Sequence, residues 1–349
     1  MKIKTKLILF LGFACLLNSC TKTEFEGPSI STLYGDFEII EPLKITNIVP
    51  SFSNNEQVGF HCEFNKPVEW KIAITGLNTG AIREITGFSN IIDSNVVVWN
   101  GGPSQVPFFS EEACSVELTF ENETDTLRDS ITIISSKNYG NGVWFEDFEN
   151  GLPADALVYY NTDGGGMTFS VANDNALLGS SYFKMGGRVN WDWALGNLDI
   201  PINIANITQN PDDLFINIGL LSDLQDLHTG QFINILISEE TNTPFNDNLN
   251  NNASDLFEST MEVYKMKVPV DWEGWQLKSF RYSDFEPVSS NNQTINFNMN
   301  PNDIKAIRIT CLACPSSSGN PVCPENFGKD VRTDIDHIIF TLNTNLLDQ

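Results

Sequence analysis

The sequence has few positive charges and very few histidines. Its 349 residues include 20 Lys and Arg against 45 Asp and Glu, which gives a formal net charge of -25, and it contains only 3 His. A surface this acidic repels phosphate backbones and anionic lipid head groups. The composition therefore argues against nucleic-acid binding and against attachment to a membrane through surface charge.

The common catalytic motifs are also missing. The sequence contains no H-E-x-x-H, no G-x-S-x-G and no P-loop, which are the local signatures of zinc proteases, serine hydrolases and phosphate-binding enzymes. Its histidines are scattered, and the sequence gives no ground for pairing any of them with a serine or cysteine nucleophile. A pair of carboxylates could serve a glycosidase, but the sequence does not give the separation that such a pair needs. We therefore predict a protein that is not an enzyme.

Only one hydrophobic run stands out, and it is short. Residues 7–17 are apolar, follow Lys2, Lys4 and Lys6, and precede the string LLNSC at residues 16–20. A positive end followed by a short apolar run is typical of an export signal, and this run is too short to span a bilayer. LLNSC resembles the lipobox of bacterial lipoproteins. The resemblance implies a signal peptide over residues 1–19 and a lipid-modified Cys20 as the mature N-terminus.

The stretch after Cys20 points to the cell surface. Residues 21–26 read TKTEFE, which resembles the lysine-plus-acidic tether of Bacteroidota lipoproteins exported to the outer face of the outer membrane. The resemblance implies a tether over residues 20–28 and an outer-membrane location facing the cell exterior. The acyl chains would be the only attachment to the membrane.

Residues 29–137 consist of short alternating runs separated by turn residues. Seven such runs lie at 37–40, 58–64, 69–75, 82–85, 96–99, 114–120 and 129–134, with turn residues such as NKP at 65–67 between them. This spacing predicts a small antiparallel sandwich. Cys62, Trp70 and Cys114 resemble the cysteine, tryptophan, cysteine pin of immunoglobulin-like domains. The resemblance implies an immunoglobulin-like or PKD-like domain with a Cys62–Cys114 disulfide.

Three further cysteines lie close together near the C-terminus. Cys311, Cys314 and Cys323 superficially suggest a metal cluster, but a structural zinc site needs four ligands and no histidine lies in that interval. Because export permits disulfides, we predict one disulfide among these three and one buried thiol. Which two of them pair is not readable from the sequence.

A polar break at residues 138–142 (NYGNG) is the natural linker to a second domain, predicted over residues 143–349. Three of its motifs occur in order: FEDFE at 145–149, GWQ at 274–276 and DIDHIIF at 334–340. They resemble the galactose-binding-like jelly rolls used as carbohydrate-binding modules. The predicted fold class is therefore all-β, an N-terminal immunoglobulin-like sandwich followed by a C-terminal jelly roll.

The jelly-roll resemblance also implies a structural calcium ion between the first and last strands. Asp147 and Glu149 on the opening strand and Asp336 on the closing strand are the candidate ligands, because hard cations need several oxygen ligands. The alternative is that these acids cap strand ends or face water.

Exposed tryptophans are candidates for stacking against the apolar face of a sugar. Trp191 and Trp193 share one face of an extended segment and flank Asp192, whose carboxylate can accept hydrogen bonds from sugar hydroxyls. Val189 and Leu195 lie on that same face, so a core stripe is the alternative. Trp272 is predicted to lie in a loop. The polar segment 238–259 is a further source of ligand hydrogen bonds, although an ordinary excursion has the same composition.

Taken with the export signal, the chain resembles the surface glycan-binding proteins of starch-utilisation-type systems. The resemblance implies a polysaccharide ligand and, as partners, a lipoprotein lid and a porin-like transporter. One alternative is a polysaccharide lyase or glycoside hydrolase on the same sandwich: residues 182–186 (YFKMG) are similar to a strand of jelly-roll alginate lyases, although the other lyase motifs are absent. A further alternative is an adhesin or structural lipoprotein without a sugar ligand.

Overall fold

The computed structural model describes residues 35–161, 165–223, 230–239, 262–288, 297–319 and 322–348. Within these ranges the regular structure consists of antiparallel β-strands and short 3-10 turns. The predicted all-β fold class is confirmed. Among the described residues, no helix has the length and apolar character needed to cross a membrane.

The first sheet comprises six strands from the N-terminal part of the chain. They are β1 (Ile39–Ile45), β2 (Val58–Gly76), β3 (Ile82–Ile92), β4 (Val98–Trp99), β5 (Ala113–Phe120) and β6 (Thr126–Thr132). The strand order is β1-β2-β5-β6, and β3 and β4 also pair with β2. The 19-residue β2 is therefore the strand around which this sheet is built.

The predicted turn at residues 65–67 lies inside β2, so the two strands expected there are one. Proline is tolerated in a sheet at irregular positions because it has no N–H to donate. Pro67 sits in such a position, since the pairing of β2 with β3 shifts register between Glu63 and Val68. Lys66 is buried beside it and forms an ion pair with Glu123 at 2.7 Å. The polar composition that suggested a turn belongs instead to a strand with a bulge.

Alternate residues of these strands form an apolar core. On β2 the side chains of Phe60, Phe64 and Ile72 are buried, and the ring of Phe64 meets that of Phe120 edge-on at 5.2 Å between centroids. The period of two residues places one face of each strand inward. The immunoglobulin-like or PKD-like assignment of this part stays a prediction.

The predicted Cys62–Cys114 disulfide is wrong. Both cysteines are buried free thiols, and burial raises the pKa of Cys62 to about 11 and that of Cys114 to about 12. Their positions explain this, because Cys114 pairs with Gly76 at the end of β2 whereas Cys62 lies near its beginning. A disulfide requires Cα atoms about 4.4–6.8 Å apart, and the two cysteines belong to one sheet rather than to two facing sheets.

The remaining strands form two further six-stranded antiparallel sheets. The second sheet has the order β15-β12-β18-β10-β9, with β7 beside β18, and the third has the order β16-β14-β13-β17-β11-β8. The bounds are β7 (Trp144–Glu146), β8 (Leu157–Tyr160), β9 (Thr168–Ala172), β10 (Tyr182–Arg188), β11 (Ala194–Pro201), β12 (Leu214–Ser222), β13 (Phe232–Ser238), β14 (Val263–Pro269), β15 (Gly274–Arg281), β16 (Glu286–Pro287), β17 (Ala306–Leu312) and β18 (Asp330–Leu342).

The second and third sheets share one hydrophobic core and so form a sandwich. Ile216 and Ile218 of β12 lie in the same buried cluster as Ile233 and Ile235 of β13, and all four are fully buried. Burying an isoleucine side chain contributes about 1.5–3 kcal/mol relative to leaving it exposed. This core fixes the strands that carry the candidate site.

A disulfide links Cys314 and Cys323, and Cys311 is a buried free thiol. The prediction of one disulfide and one buried thiol among these three residues is confirmed. Cys311 points into the core from β17, while the other two lie beyond the end of that strand.

A smaller apolar cluster joins the first sheet to the sandwich. Tyr139 is buried in the predicted linker, and its ring contacts that of Phe108 at a tilt of 42°, with 4.1 Å between centroids. Ile339 of β18 and Leu346 complete the cluster. A ring nitrogen of His337, Nε2, lies 3.0 Å from the carbonyl oxygen of Tyr139. The segment that reads as a polar linker therefore packs against both parts of the chain.

Candidate functional site

Trp191 and Trp193 are exposed on the segment between β10 and β11. Their side chains are 51% and 42% exposed, whereas Val189 and Leu195, which the alternation placed on the same face, are buried. Residues 189–193 belong to no strand and bend at 191–193, so the two-residue alternation does not hold there. The core-stripe alternative therefore does not apply to these two tryptophans.

Hydrogen bonds to the loop after β17 support residues 189–193, which we call the tryptophan segment. The side-chain oxygen Oδ1 of Asn190 accepts a hydrogen bond from the backbone amide of Asp192 at 2.8 Å. The carbonyl oxygen of Asn190 accepts one from the backbone amide of Ser316, also at 2.8 Å. The carbonyl oxygen of Trp193 accepts the amide of Ala313 at 3.0 Å. Residues on both sides of Cys314 thus support the segment, and the disulfide closes the loop that carries Ser316.

A third aromatic ring and a lysine lie beside the tryptophans. The rings of Trp193 and Phe232 are 6.1 Å apart between centroids, and the ammonium group of Lys267 lies 3.9 Å above the ring of Phe232. We call Trp191, Trp193 and Phe232 the aromatic cluster. Sequence reasoning missed Phe232 and Lys267, because a phenylalanine opening a strand and a lysine within one give no distinguishing signal.

Buried polar atoms without partners lie under the same segment. Asn190 and Ser316 are 5% and 2% exposed, and neither Nδ2 of Asn190 nor Oγ of Ser316 has a hydrogen-bond partner. Unsatisfied buried polar groups are costly, so a water molecule or a ligand group would be bound favourably there. The site therefore combines exposed aromatic faces with the Asp192 carboxylate and unused hydrogen-bonding capacity.

The structure places Trp272 in the core rather than in an exposed loop. The side chain is 6% exposed and belongs to the main buried cluster of the sandwich. The ammonium group of Lys278 lies over its ring, 4.4 Å from the centroid. Flanking acidic residues suggested a loop position, but the indole itself packs inward, so Trp272 is not part of the exposed site.

Asp336 is the most perturbed of the predicted calcium ligands. Its Oδ2 accepts the backbone amides of Leu177 and Leu178 at 2.7 and 3.1 Å, while its Oδ1 is buried and has no hydrogen-bond partner. Burial raises the pKa of this carboxyl to about 7, and the charge of Glu149 acts in the same direction. The unpartnered oxygen is the feature of this site that fits a cation.

Glu149 and Asp147 have other partners. The Glu149 carboxylate accepts the amides of Ser180 and Ser181, each at 2.7 Å, and the Ser180 hydroxyl at 2.6 Å. Although burial raises its pKa, these hydrogen bonds lower it overall. Asp147 accepts the amide of Glu149 at 3.1 Å. Among the described residues, no group of three acidic, histidine or cysteine side chains is arranged to hold a metal ion. The calcium site remains a prediction.

The tyrosine of the segment that suggested a lyase, residues 182–186, lies in a buried hydrogen-bond network. Tyr182 is fully buried, and its hydroxyl donates to Asp174 and accepts from Arg332. Burial and the neighbouring Asp174 raise the pKa of this phenol. His228 and most of the polar segment 238–259 lie outside the described residues.

One further carboxyl has a strongly shifted pKa. Glu239 is buried at the end of β13 and accepts the Tyr282 hydroxyl at 2.7 Å and the Asn300 amide at 2.6 Å. Burial raises its pKa to about 7. It lies at the start of the polar segment 238–259, which the sequence offered as a source of ligand hydrogen bonds.

No protein-family model matches this sequence, and no curated protein matches it. Solved structures do resemble it. The K1 cleaved adhesin domain of Lys-gingipain from Porphyromonas gingivalis is 12% identical, covers 58% of this chain and 98% of its own, and has a TM-score of 0.30. SGBP-B from a complex xyloglucan utilization locus in Bacteroides uniformis is 11% identical, with 86% and 73% coverage and a TM-score of 0.33.

The CBM22-2 xylan-binding domain from Paenibacillus barcinonensis is also similar to part of the chain. It is 11% identical, covers 57% of this chain and 99% of its own, and has a TM-score of 0.30. Similarity at this level assigns no ligand to the protein. Its function has to be argued from its own residues.

Proposed function

We propose that this protein is a non-catalytic lipoprotein that binds a polysaccharide through Trp191 and Trp193. The observation that carries the proposal is the exposure of two indoles, 51% and 42%, on one short segment. Trp is highly buried on average, and large exposed apolar patches on soluble proteins mark binding sites. Two such rings within three residues fit a ligand with repeated flat apolar faces.

The chemistry around the rings favours a sugar chain over a purely apolar ligand. The apolar face of a pyranose can stack on an indole, while its hydroxyls need hydrogen-bond partners at the edge. Asp192 lies between the two tryptophans and supplies acceptor oxygens. Asn190 and Ser316 hold unsatisfied polar atoms beneath them. Because the chain carries a net charge of -25, a neutral glycan suits it better than a strongly anionic one.

The proposed cellular role rests on the N-terminal sequence. Cys20 would carry the lipid, and the mature protein would be held at the outer membrane facing the exterior. There it would capture a polysaccharide for a lipoprotein lid and a porin-like transporter. These partners are part of the proposal and follow from the family resemblance in the sequence.

The proposal is tested by replacing the exposed tryptophans. Trp191→Ala and Trp193→Ala should each weaken binding by roughly tenfold, since stacking on one ring contributes about 1 kcal/mol beyond the buried area. Affinity electrophoresis through gels containing soluble neutral polysaccharides measures binding, and thermal melting measures the fold. Because both side chains are exposed, the melting temperature should stay close to that of the wild type.

Two control variants separate binding from folding. Phe145→Ala removes another exposed ring, 47% exposed, from the same sandwich and should leave binding unchanged. Trp272→Ala should instead lower stability by about 3–5 kcal/mol, because it creates a cavity in the core. Wild-type retardation of both tryptophan variants on every gel that retards the wild type would refute this site.

A further inference from the structure

Another exposed aromatic ring lies on the first sheet, far from the tryptophans in sequence. Phe88 of β3 is 63% exposed. It pairs across the sheet with Glu69 of β2, and the amide of Glu121, just past β5, donates to the carbonyl oxygen of Glu69 at 2.8 Å. Three neighbouring strands therefore present an aromatic ring and two carboxylates in one row.

The next row on the same face carries hydroxyl groups. Lys71 of β2 pairs with Thr86 of β3 on one side and with Thr119 of β5 on the other. The ammonium group of Lys71 is engaged by Glu84 at 3.0 Å. The two rows line an open groove of about 650 Å³, which we call the Phe88 groove.

The two carboxylates at the centre of the groove are close neighbours. The neighbouring Glu69 carboxyl, through hydrogen bonding and its charge, raises the pKa of Glu121. Like charges on adjacent strands are unfavourable. Hydroxyl donors from a ligand would satisfy both carboxylates at once.

We propose that the Phe88 groove is a second binding site for a neutral sugar chain. An exposed ring supplies a stacking surface for a sugar face, and the carboxylates and threonine hydroxyls supply partners for its hydroxyl groups. The carboxylate pair repels acidic glycans, acidic peptides and nucleic acid. The groove's volume lies within the range of natural ligand sites, about 300–1,000 Å³.

The inference stands independently of the tryptophan site, and it changes the role of the N-terminal part of the chain. That part would not be only a spacer, because it would hold the same polysaccharide at a second point. Two weak sites on one chain raise the overall affinity for a long polymer through effective concentration, without any new contact.

The test uses the full protein and a panel of gels containing a soluble β-glucan, a xylan or a galactomannan. The starting protein is the Trp191→Ala/Trp193→Ala double variant, in which only the groove is left to bind. We expect it to be retarded on at least one gel, and we expect Phe88→Ala in that background to weaken retardation by roughly tenfold. Glu69→Gln should weaken it by a few fold. Phe145→Ala is the matched control and should have no effect.

The outcomes distinguish the two sites. If Phe88→Ala leaves both the retardation and the melting temperature of the double variant unchanged, the proposed groove site is refuted. A folded double variant that is retarded on no gel, beside a wild type that is retarded, would also overturn it and leave the tryptophan site standing. A double variant that binds as well as the wild type and loses binding with Phe88→Ala would support the groove and refute the tryptophan site. If the wild type is retarded on none of the gels, both the groove and the tryptophan site are refuted.

Discussion

The carboxyl of Asp336 has one oxygen bonded to two backbone amides and the other buried without a partner. Its pKa rises from 3.8 to about 7 in the folded protein because burial disfavours the charged form. An acid whose folded pKa lies above its unfolded pKa stabilises the fold at low pH. That stability is lost as pH rises from about 4 to about 7, by up to about 1.4 kcal/mol per pH unit.

Asp336→Asn should therefore flatten the pH dependence of stability. The amide can accept the two backbone hydrogen bonds through its oxygen and place a neutral group in the buried position. In urea unfolding with a chelator present, the wild type should lose stability between pH 4 and 7, and the variant should lose less. Glu239→Gln should reduce the loss of stability between pH 4 and 7 by a similar amount, since the pKa of Glu239 is also about 7. Equal slopes for wild type and Asp336→Asn would show that Asp336 is not buried as described.

The same variant tests the calcium prediction. A cation bound to the Asp336 carboxylate would stabilise the folded protein in proportion to its concentration. Calcium added at pH 8 should then raise the melting temperature of the wild type, and it should have little effect on Asp336→Asn. If neither calcium nor a chelator changes the melting temperature of the wild type, the calcium prediction is wrong.

At the scale of elements, the tryptophan segment depends on the loop that the disulfide closes. The carbonyl oxygens of Asn190 and Trp193 accept amides from Ser316 and Ala313, on either side of Cys314. A loop of this length is stabilised by its disulfide by about 2–3 kcal/mol in the chain-entropy model. Residues 189–193 belong to no strand; the loop supports them from one side, and the Val189 amide donates to the carbonyl oxygen of Lys329 at 2.9 Å.

Cys314→Ser/Cys323→Ser should thus weaken polysaccharide binding by several fold while leaving the sandwich folded. The expected cause is loss of order in the segment, because the indoles themselves are unchanged. Affinity electrophoresis and thermal melting measure the two effects. In the Trp191→Ala/Trp193→Ala background the same pair of substitutions should have no further effect on binding. An undiminished affinity of the disulfide-free protein would mean that the sandwich alone positions the tryptophans.

Individual strands could be predicted from local sequence patterns. Strand boundaries and contacts that depend on pairing between distant strands could not. Alternating apolar residues predict strands because the side chains of a strand alternate between faces. They do not tell whether two runs are one strand, and β2 continues through Pro67 because a register shift accommodates it. The same limit applies to Cys62 and Cys114, since their separation depends on that one strand.

For a related reason, the sequence predicted only some residues of the candidate sites. Trp191 and Trp193 are predicted as a pair by their spacing. Their exposure follows from bends at residues 191–193, for which the sequence gives no signal. Trp272 looks like a loop residue from its acidic neighbours, yet its indole is buried. Phe88 gives no local signal, because its partners Glu69 and Glu121 come from other strands.

At the scale of the whole molecule, the two proposed sites lie on parts of the chain that pack against each other. The ring of Tyr139 packs against that of Phe108, and its hydroxyl donates to the carbonyl oxygen of Gly101 at 3.4 Å. Its carbonyl oxygen is bonded to buried His337 of β18. A linker with a buried aromatic anchor restricts the relative motion of the parts it joins. A long sugar chain would then meet both sites in a limited range of orientations, which favours binding at two points.

Attachment to the membrane should depend on Cys20 alone. The apolar run at residues 7–17 would leave with the signal peptide, and among the described residues no helix is able to span a membrane. Several acyl chains on one cysteine anchor a protein firmly, whereas the acidic surface gives no attraction to anionic lipids. Cys20→Ala should therefore move the protein out of the membrane fraction, as measured by fractionation after a high-salt wash. Cys15→Ala, which changes a cysteine inside the predicted signal peptide, is the matched control and should remain in membranes. Retention of the Cys20→Ala protein in the washed membranes would contradict the proposed lipid anchor.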